Sequence, residues 1–244
     1  MVASDGVSGN TPHLGVGAII VAAGESRRMA GVDKVFTPLL GLPLISYSLK
    51  TLHDAPQVDA IVVVLAPPNL ERGERLVKAN DWHKVRCVVS GGRRRQDSVR
   101  LGLERLDGSE WIIVQDGARP FIDERMIATG LAQAAQTGAA LAAVPVKDTI
   151  KLADADLYVS ETLPRGTLWA AQTPQVFRRR ILAEAHRRIE DEVTDDASMV
   201  ERMGHRVRMF MGSYRNIKVT TPEDLSIAEA ILKTRAAGAS QRSQ

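Results

Sequence analysis

Residues 19–34 read Ile-Ile-Val-Ala-Ala-Gly-Glu-Ser-Arg-Arg-Met-Ala-Gly-Val-Asp-Lys, and this segment constrains the fold more than any other. An apolar strand runs into a turn of small residues at 22–24, and the cations Arg27, Arg28 and Lys34 follow. Small residues at a strand end let a ligand approach the backbone, whose N–H groups then hold phosphate oxygens. Because arginine and lysine neutralise such a ligand, the segment predicts a strand and turn that bind a polyphosphate. A turn with solvated basic residues is the alternative interpretation.

Two better-known phosphate loops do not explain this turn. The P-loop signature G-x-x-x-x-G-K-[ST] does not occur in the sequence. Residues 15–20, Gly-Val-Gly-Ala-Ile-Ile, look like the start of a dinucleotide fingerprint. They lack the third glycine, however, and they precede the strand, whereas the fingerprint must follow it.

Apolar strand patterns alternate with helical patterns through the first 145 residues. The strand candidates are runs rich in Val and Ile, at Gly17–Ala23, Ala60–Leu65, Val85–Ser90, Trp111–Gln115 and Ala140–Val144. Such runs are typical of a parallel sheet covered on both faces. Helical stripes lie between them, formed by Ile45, Leu49 and Leu52 and by Val99, Leu103 and Leu106. The alternation predicts an α/β fold with a single Rossmann-like, doubly wound and mostly parallel sheet.

The helical pattern stops after residue 145. Extended pieces at Thr149–Leu152, Tyr158–Leu163 and Trp169–Gln172 are separated by Asp, Gly and Pro. They predict a β-arm over about 146–172 that projects from the sheet. Because a lone hairpin is only marginally stable in water, we expect the arm to pack on a second copy and form a homodimer.

The remaining sequence predicts a return to the sheet. A helix is expected around Arg179–Ile189 and another after Thr194, which can serve as its N-cap. Strands are expected near Arg206–Met211 and Asn216–Val219. The last helix is expected to start with Thr221 as its N-cap, because a proline follows at the first helical position.

Composition is that of a soluble protein with a sizeable core. Apolar residues make up 44% of the chain and charged residues 25%, and no apolar run approaches the roughly 20 residues that cross a bilayer. Residues 1–14 lack the basic start and apolar stretch of a secretory signal, and we expect them to be a disordered leader. One domain is expected over 15–235, followed by a disordered tail over 236–244.

Cysteine, histidine and aromatic usage narrows the functional classes. The single cysteine, Cys87, lies in an apolar run and is interpreted as a small buried residue, which fits a reducing cytoplasm. The five histidines are scattered singly, so no zinc site is expected. Arginine runs at 93–95 and 178–180 lack interleaved aromatics, which are only 4% of the chain. A solvated face or a small anionic ligand explains these runs better than nucleic acid.

Seven further motifs follow the basic turn in order. They are Gly91-Gly92-Arg93-Arg94-Arg95-Gln96-Asp97-Ser98-Val99, Asp116-Gly117-Ala118-Arg119-Pro120, Asp148-Thr149-Ile150-Lys151, Pro164-Arg165-Gly166-Thr167-Leu168-Trp169, Gln172-Thr173-Pro174-Gln175, Thr194-Asp195-Asp196-Ala197 and Asn216-Ile217-Lys218-Val219-Thr220. With the turn, they resemble the 2-C-methyl-D-erythritol 4-phosphate cytidylyltransferase family over roughly residues 17–232. The resemblance implies an Mg²⁺-dependent enzyme of isoprenoid precursor biosynthesis. It would join CTP and 2-C-methyl-D-erythritol 4-phosphate to give 4-diphosphocytidyl-2-C-methyl-D-erythritol and pyrophosphate.

The resemblance also implies roles for individual residues. Catalysis is expected from four cations, Arg28, Lys34, Arg165 and Lys218. Nucleotide binding is expected from Ala22, Ala23, Gly24, Gly92 and Ser98, together with Lys218. The acceptor is expected to contact Asp116, Arg119, Thr149, Arg165 and Thr194. Asp116 is also the expected protein residue beside Mg²⁺, with phosphates and water supplying most of the ligands.

This chemistry needs cations more than a nucleophile or a base. The attacking atom is an oxygen of a phosphate monoester, which is mostly anionic at pH 7 because its second pKa is about 6. The site must therefore bring two polyanions together and stabilise the charge of an in-line transition state.

Several alternatives stay open at the level of sequence. Transfer to another polyol phosphate, such as ribitol 5-phosphate, would use the same nucleotide site. A non-enzymatic nucleotide-binding or nucleic-acid-binding module would use the arginine runs and bind with a strong salt dependence. Among single residues, Asp97 and Thr173 also fit cap or turn roles, Ser98 fits the first turn of a helix, and Arg28 fits a solvated surface.

Overall fold

The structure, a computed structural model, describes residues 15–24 and 34–240, with side chains through residue 235. Its helices are α1 (Leu44–Asp54), α2 (Leu70–Ala79), α3 (Arg95–Leu103), α4 (Glu124–Thr137), α5 (Arg179–Arg188), α6 (Asp196–Arg202) and α7 (Pro222–Ser240). Its strands are β1 (Gly15–Ala22), β2 (Pro38–Leu39), β3 (Leu42–Pro43), β4 (Ala60–Leu65), β5 (Val85–Ser90), β6 (Ser109–Asp116), β7 (Ala139–Pro145), β8 (Lys151–Ala153), β9 (Val159–Thr162), β10 (Trp169–Arg178) and β11 (Arg208–Met211). The five strands predicted before residue 146 are all present.

A seven-stranded sheet organises the described chain, in the order β11-β7-β10-β6-β1-β4-β5. Strand β1 pairs in parallel with β4 and β6, β4 pairs in parallel with β5, and β7 pairs in parallel with β11. Strand β10 lies between β6 and β7 and runs antiparallel to both. The mostly parallel, doubly wound sheet is confirmed, but the sequence did not predict β10 as a central strand.

Helices cover both faces of the sheet, and each face has its own apolar layer. Helices α1, α2 and α4 pack on one face, and α3, α5 and α6 pack on the other. The predicted apolar stripes of α1 and α3 are buried in these layers. Cys87 of β5 is half-buried against the second layer, and burial raises the pKa of its thiol. Among the described helices, none is both long and apolar enough to cross a membrane.

The carboxyl ends of β1, β4, β5 and β6 meet at one edge of the sheet because these neighbours are parallel. Strand β4 lies on one side of β1 and β6 on the other, so a crevice opens beyond the end of β1. Ligands of open α/β sheets bind in such crevices. The turn at 22–24 and Asp116 lie together at this edge, since Val21 pairs with Asp116.

The C-terminal part corrects three expectations. Asn216–Val219 is not a strand but an irregular segment, which the Val219 N–H ties to the Ala118 carbonyl at 2.8 Å. The N-cap of α6 is Asp195 and not Thr194, because the Asp195 carboxylate accepts the N–H of the first helical turn. Helix α7 starts after Thr221 as predicted but continues to Ser240, so it includes residue 236, where the tail was expected to begin.

The predicted β-arm is an antiparallel hairpin of β8 and β9. Residues 169–171 pair with β7 as part of β10, so the arm ends before residue 169 and not at 172. Three consecutive apolar residues near the end of the hairpin, Leu157, Tyr158 and Val159, are 84%, 74% and 61% exposed. A run of exposed apolar side chains is typical of a surface that packs on a partner.

Candidate functional site

A cavity of about 510 Å³ opens at the carboxyl edge of the sheet, and we call it the larger cavity. Loops that follow β1, β4, β5 and β6 form its walls. The residues predicted to bind a nucleotide all line it, namely Ala22, Ala23, Gly24, Gly92, Ser98 and Lys218. Lys34 and Asp116 line it as well. The structure therefore brings these sequence-predicted residues together.

Small residues are required where the loops after β1 and β5 meet. A Cβ at Gly91 would lie 2.2 Å from the Cβ of Ala23, so a larger residue would push the two loops apart. The Ser98 hydroxyl accepts a hydrogen bond from the Gly92 N–H at 3.1 Å and donates one to the Arg94 carbonyl at 3.3 Å. Ser98 thus lies in the first turn of α3 and also fixes the cavity wall.

Asp97 has the capping role that the sequence left open. Its carboxylate accepts hydrogen bonds from the Arg94 N–H at 3.0 Å and from the Arg94 guanidinium at 2.8 Å, which completes a capping box at the start of α3. These hydrogen bonds lower the pKa of the Asp97 carboxyl. Asp97 therefore supports the loop that carries Gly92.

The cations of the site converge on one carboxylate, Asp116, at the end of β6. Lys218 Nζ lies 2.9 Å from Oδ2, Arg119 Nε lies 3.5 Å from Oδ2, and Arg95 Nη2 lies 3.4 Å from Oδ1. Burial by itself raises the pKa of the Asp116 carboxyl, but Arg95 and Lys218 outweigh burial and hold that pKa well below its usual range. Asp116 is therefore ionised at neutral pH and gathers three cations around it.

Arg95 also contacts a second carboxylate on its far side. Its Nη1 atom lies 2.5 Å from Oδ2 of Asp196, which is completely buried at the start of α6. His186 Nε2 of α5 lies 3.5 Å from Oδ1 of the same carboxylate. Burial works to raise the pKa of Asp196, but Arg95 and His186 outweigh it and lower that pKa.

A second cavity of about 200 Å³ adjoins the first, and we call it the smaller cavity. Arg95, Asp116 and Lys218 line both cavities. Two residues predicted to contact the acceptor, Arg119 and Thr194, line the smaller cavity. The arrangement can therefore hold two anionic ligands side by side, with cations between them.

Hydrogen bonds connect the loop after β6 to the segment that carries Lys218. Arg119 Nη1 donates to the Asn216 carbonyl at 2.8 Å. Thr173 lies in strand β10, not in a turn or cap as the sequence allowed, and its hydroxyl accepts the Asp116 N–H at 3.1 Å. The two segments are thus held in register around Asp116.

Lys34 begins a short 3-10 turn, Lys34–Phe36, beside the larger cavity. Phe36 is buried, and Arg72 of α2 lies over its ring at 4.5 Å and donates to its carbonyl at 3.3 Å. The turn that carries Lys34 is therefore anchored to α2. Arg28 lies outside the described residues, and its catalytic role stays a prediction.

The two arm residues predicted to contact the acceptor, Thr149 and Arg165, do not join this cluster. Both are exposed, and neither lines the larger or the smaller cavity. Arg165 Nη1 donates to the Lys147 carbonyl at 2.7 Å, a contact within the arm. The predicted acceptor residues thus form two separate groups in one chain.

The acidic and other potential metal-binding side chains that the structure describes at the site do not cluster around a single position. Across residues 15–24 and 34–240, no three His, Cys, Asp or Glu side chains converge on a possible metal position. Both oxygens of Asp116 already lie within ion-pair distance of a cation. Among the described residues, the side chains of the site therefore do not form a metal-ligand set by themselves, and any metal here would depend on ligands from phosphates and water.

Comparison with known proteins gives an independent view of the chain. Residues 16–234 match the family model described as IspD, 2-C-methyl-D-erythritol 4-phosphate cytidylyltransferase. A relative of that name from Dehalococcoides mccartyi (strain CBDB1) is 49% identical over 218 residues, which are 89% of this chain and 96% of the relative. Another from Geobacillus thermodenitrificans (strain NG80-2) is 46% identical over 224 residues, which are 90% of this chain and 98% of the relative.

Solved structures share the fold. The 4-diphosphocytidyl-2C-methyl-D-erythritol synthase from Anaerococcus prevotii DSM 20548 aligns with a TM-score of 0.81 at 30% identity, covering 91% of this chain and 97% of that one. The 2-C-methyl-D-erythritol 4-phosphate cytidylyltransferase from Thermus thermophilus aligns with a TM-score of 0.75 at 32% identity, covering 90% of this chain and 99% of that one. The Rossmann-like fold expected from the sequence is therefore confirmed.

Proposed function

The chain belongs to the 2-C-methyl-D-erythritol 4-phosphate cytidylyltransferase family, and we propose that it transfers the cytidylyl group of CTP to 2-C-methyl-D-erythritol 4-phosphate. The products are 4-diphosphocytidyl-2-C-methyl-D-erythritol and pyrophosphate, in isoprenoid precursor biosynthesis. One observation carries the proposal most strongly: two adjoining cavities share Arg95, Asp116 and Lys218, so two anions can meet beside fixed cations.

The reaction needs no covalent help from the protein. An anionic oxygen of the acceptor phosphate attacks the α-phosphorus of CTP, the new oxygen–phosphorus bond forms, and the bond to the β-phosphate bridging oxygen breaks. Pyrophosphate leaves with the electron pair of that bond. Cations that are already in place stabilise the charge on the in-line transition state without reorganisation. Lys34 and Lys218, which line the larger cavity, are proposed for this role, together with Arg28 by resemblance.

We propose that CTP occupies the larger cavity and the acceptor phosphate the smaller one. A volume of about 510 Å³ lies within the usual range for a cofactor or nucleotide pocket. The turn at 22–24 and Gly92 offer bare backbone beside the base and phosphates, and Ser98 fixes that wall. Arg119 and Thr194 line the smaller cavity, where they would contact the acceptor.

Magnesium is proposed to enter with the triphosphate. When bound, it would neutralise phosphate charge and orient the triphosphate. Of the protein residues, Asp116 lies nearest to this role, reached through water because Arg95 and Lys218 already contact its oxygens. Lys34 and Lys218 supply the remaining positive charge.

The β-arm is proposed to cross a homodimer and to place Thr149 and Arg165 in the partner's smaller cavity. Two observations support this. Both residues lie away from the cavities of their own chain, and the arm exposes Leu157, Tyr158 and Val159. Arginine can bind a phosphate through two parallel hydrogen bonds, which suits Arg165 to the acceptor phosphate.

A cytoplasmic location without nucleic-acid or membrane partners is also proposed. The single half-buried cysteine fits a reducing compartment. In each arginine run, two of the three arginines form ion pairs, which leaves less positive charge for a nucleic acid. The pairs are Arg94 with Asp97, Arg95 with Asp196, Arg178 with Glu110, and Arg179 with Asp107.

The proposed function is tested by pyrophosphate release from CTP and Mg²⁺, with 2-C-methyl-D-erythritol 4-phosphate, ribitol 5-phosphate or no acceptor. Rapid release is expected with 2-C-methyl-D-erythritol 4-phosphate and not with ribitol 5-phosphate or without an acceptor. Release that requires ribitol 5-phosphate would instead establish the other polyol specificity. No release with either acceptor, combined with salt-dependent binding of DNA or RNA, would overturn the enzymatic proposal.

A further inference from the structure

Asp196 touches neither cavity, yet it is the far end of a chain of charges that reaches both of them. We infer that Asp196 is a positioning residue that acts through Arg95, fixing Asp116 and Lys218 on the wall between the two cavities. The inference rests on the proposed function for its kinetic test and on the geometry alone for its structural test.

Asp196 lies at a buried position, where an ionised carboxylate destabilises the fold unless it is paired with a cation. It is 0% exposed, in the first turn of α6, and Arg95 approaches its Oδ2 while His186 approaches its Oδ1. Burying a carboxylate without partners costs several kcal/mol. A residue needed only to start α6 would not have to be charged or buried, because Asp195 already caps that helix.

Arg95 couples the position of Asp196 to that of Asp116 because its guanidinium group is rigid and planar. The Nη1 atom contacts Asp196 at 2.5 Å, while Nε and Nη2 both contact Asp116 Oδ1 at 3.4 Å. Fixing one edge of the plane therefore fixes the direction of the other edge. With two carboxylates as partners, Arg95 is held in the wall and is not drawn towards incoming phosphates.

Asp116 in turn fixes the position of the Lys218 ammonium. While Arg95 holds Oδ1, the Oδ2 atom faces Lys218 Nζ at 2.9 Å. Loss of the Asp196 charge frees Arg95 to turn towards substrate phosphates, and Asp116 and Lys218 then lose their fixed geometry. A displacement of about 1 Å in a reacting group can lower a rate about 100-fold.

The kinetic test uses the full-length protein and the variant Asp196→Asn, which keeps the side-chain shape and removes the charge. We expect kcat to fall about 10- to 100-fold, with KM for CTP changed by less than about twofold. In an Arg95→Gln background, Asp196→Asn should change kcat by less than about twofold, because Arg95, through which Asp196 acts on the site, is already absent. The same fold loss in both backgrounds would show a merely structural role and overturn the inference.

Glu110→Gln is the matched control. Glu110 lies near the amino end of β6, the strand that ends in Asp116, and pairs with Arg178 at 3.3 Å. Glu110 thus forms a partly buried carboxylate–arginine pair with Arg178 of the neighbouring strand β10, away from both cavities, and kcat of Glu110→Gln should stay at the wild-type value. If Asp196→Asn does not fold, Arg95→Lys serves in its place, since lysine keeps the charge but cannot bridge two carboxylates. Wild-type kcat in Arg95→Lys would contradict the inference.

A crystal structure of Asp196→Asn separates this inference from the proposed function. We expect Arg95 to turn away from its wild-type position and Lys218 Nζ to move out of hydrogen-bond distance of Asp116. Unchanged positions of Arg95 and Lys218 would overturn the inference whatever the reaction is. Lack of pyrophosphate release by the wild-type protein would instead refute the proposed function and leave this structural result to decide the inference.

Discussion

The carboxyl edge of the sheet and the β-arm both carry proposed site residues, but the protein supports them in opposite ways. At the edge, Asp116 is 7% exposed and is held by Arg95, Arg119 and Lys218. On the arm, the side chain of Arg165 is exposed, and its hydrogen bond to the Lys147 carbonyl stays within the arm. The site residues at the edge of the sheet lie next to the buried core, whereas the residues of the arm are largely exposed.

The edge is therefore suited to stabilising the transition state, and the arm to capturing the acceptor. Charges fixed in a partly buried site are preorganised for the transition state and act on kcat. An exposed arginine gains a fixed position only when another surface covers it, so it acts on the capture of a ligand at an interface. We therefore expect edge residues to determine kcat and arm residues to determine KM for the acceptor.

Lys218→Ala should produce the largest effect. The Lys218 ammonium is the cation nearest to Asp116 and lines both cavities, so its loss should lower kcat about 100- to 1,000-fold. Pyrophosphate release at saturating CTP and acceptor measures the effect. Lys233→Ala, which removes a surface lysine of α7 that pairs with Glu229, is the control and should keep wild-type kcat. A fully active Lys218→Ala enzyme would remove the basis for assigning kcat to the edge.

Arg165→Ala should have the next largest effect and a different signature. We expect KM for 2-C-methyl-D-erythritol 4-phosphate to rise about 10- to 100-fold, with KM for CTP within about twofold, because the arm meets only the acceptor. Arg165→Lys should fall between the two, since lysine binds phosphate through a point charge and not a fork. Steady-state kinetics with each substrate varied will show whether both KM values rise together, which would argue against an acceptor role.

Mixing the two variants at a low acceptor concentration, at which each alone is nearly inactive relative to wild type, tests whether the arm serves its own chain or the partner. A heterodimer of Lys218→Ala and Arg165→Ala contains one site with an intact edge and an intact arm, provided that the arm crosses the dimer. Equal amounts, allowed to exchange subunits, should therefore recover about a quarter of wild-type activity, since half of the dimers are mixed and half of their sites are intact. Recovery should disappear when the exposed Tyr158 is also replaced by Asp in both chains. No recovery from subunits that have demonstrably exchanged would place the arm in its own chain's site.

Much of the fold could be predicted because its signals are local. The bounds of β4 and β5 follow from short runs rich in Val and other apolar residues, and the stripes of α1 and α3 follow from helical spacing. Strand β10 could not be predicted as a central strand, because its buried part includes Gln172, Thr173, Pro174 and Gln175. Proline and buried polar residues argue against a central strand until their distant hydrogen-bond partners are known.

The candidate site divides in the same way. Asp116 and Lys34 follow motifs that can be read along the chain, and the structure places both at the larger cavity. Arg95 and Asp196 were not predicted as site residues because their contact joins positions 101 residues apart. A run of three arginines gives no local sign of which one is held by a buried carboxylate.

The smallest effect is expected from Asp224→Asn, which weakens the support of Lys218 without touching the site. The Asp224 carboxylate accepts hydrogen bonds from the Thr220 N–H at 2.7 Å and the Thr221 N–H at 2.9 Å, just after the segment that carries Lys218. Loss of this cap should lower the free energy of unfolding by about 1 kcal/mol at pH 7 and change kcat by less than about twofold. Glu229→Gln, an acid farther along α7, is the matched control.

The pH dependence of that difference provides a sharper test than its size. Burial raises the pKa of the Asp224 carboxyl, but hydrogen bonds from Thr220 and Thr221 outweigh it and lower the pKa below its ordinary value. The ionised carboxylate therefore stabilises the fold at pH values above the ordinary pKa of aspartate. This stabilisation is lost as the pH falls through the lower pKa of Asp224 in the folded state. Denaturant unfolding from pH 7 down to about pH 3 should show the gap between wild type and Asp224→Asn narrowing below about pH 4. A gap that stays constant with pH would mean that side-chain shape, and not ionisation, supports the segment beside Lys218.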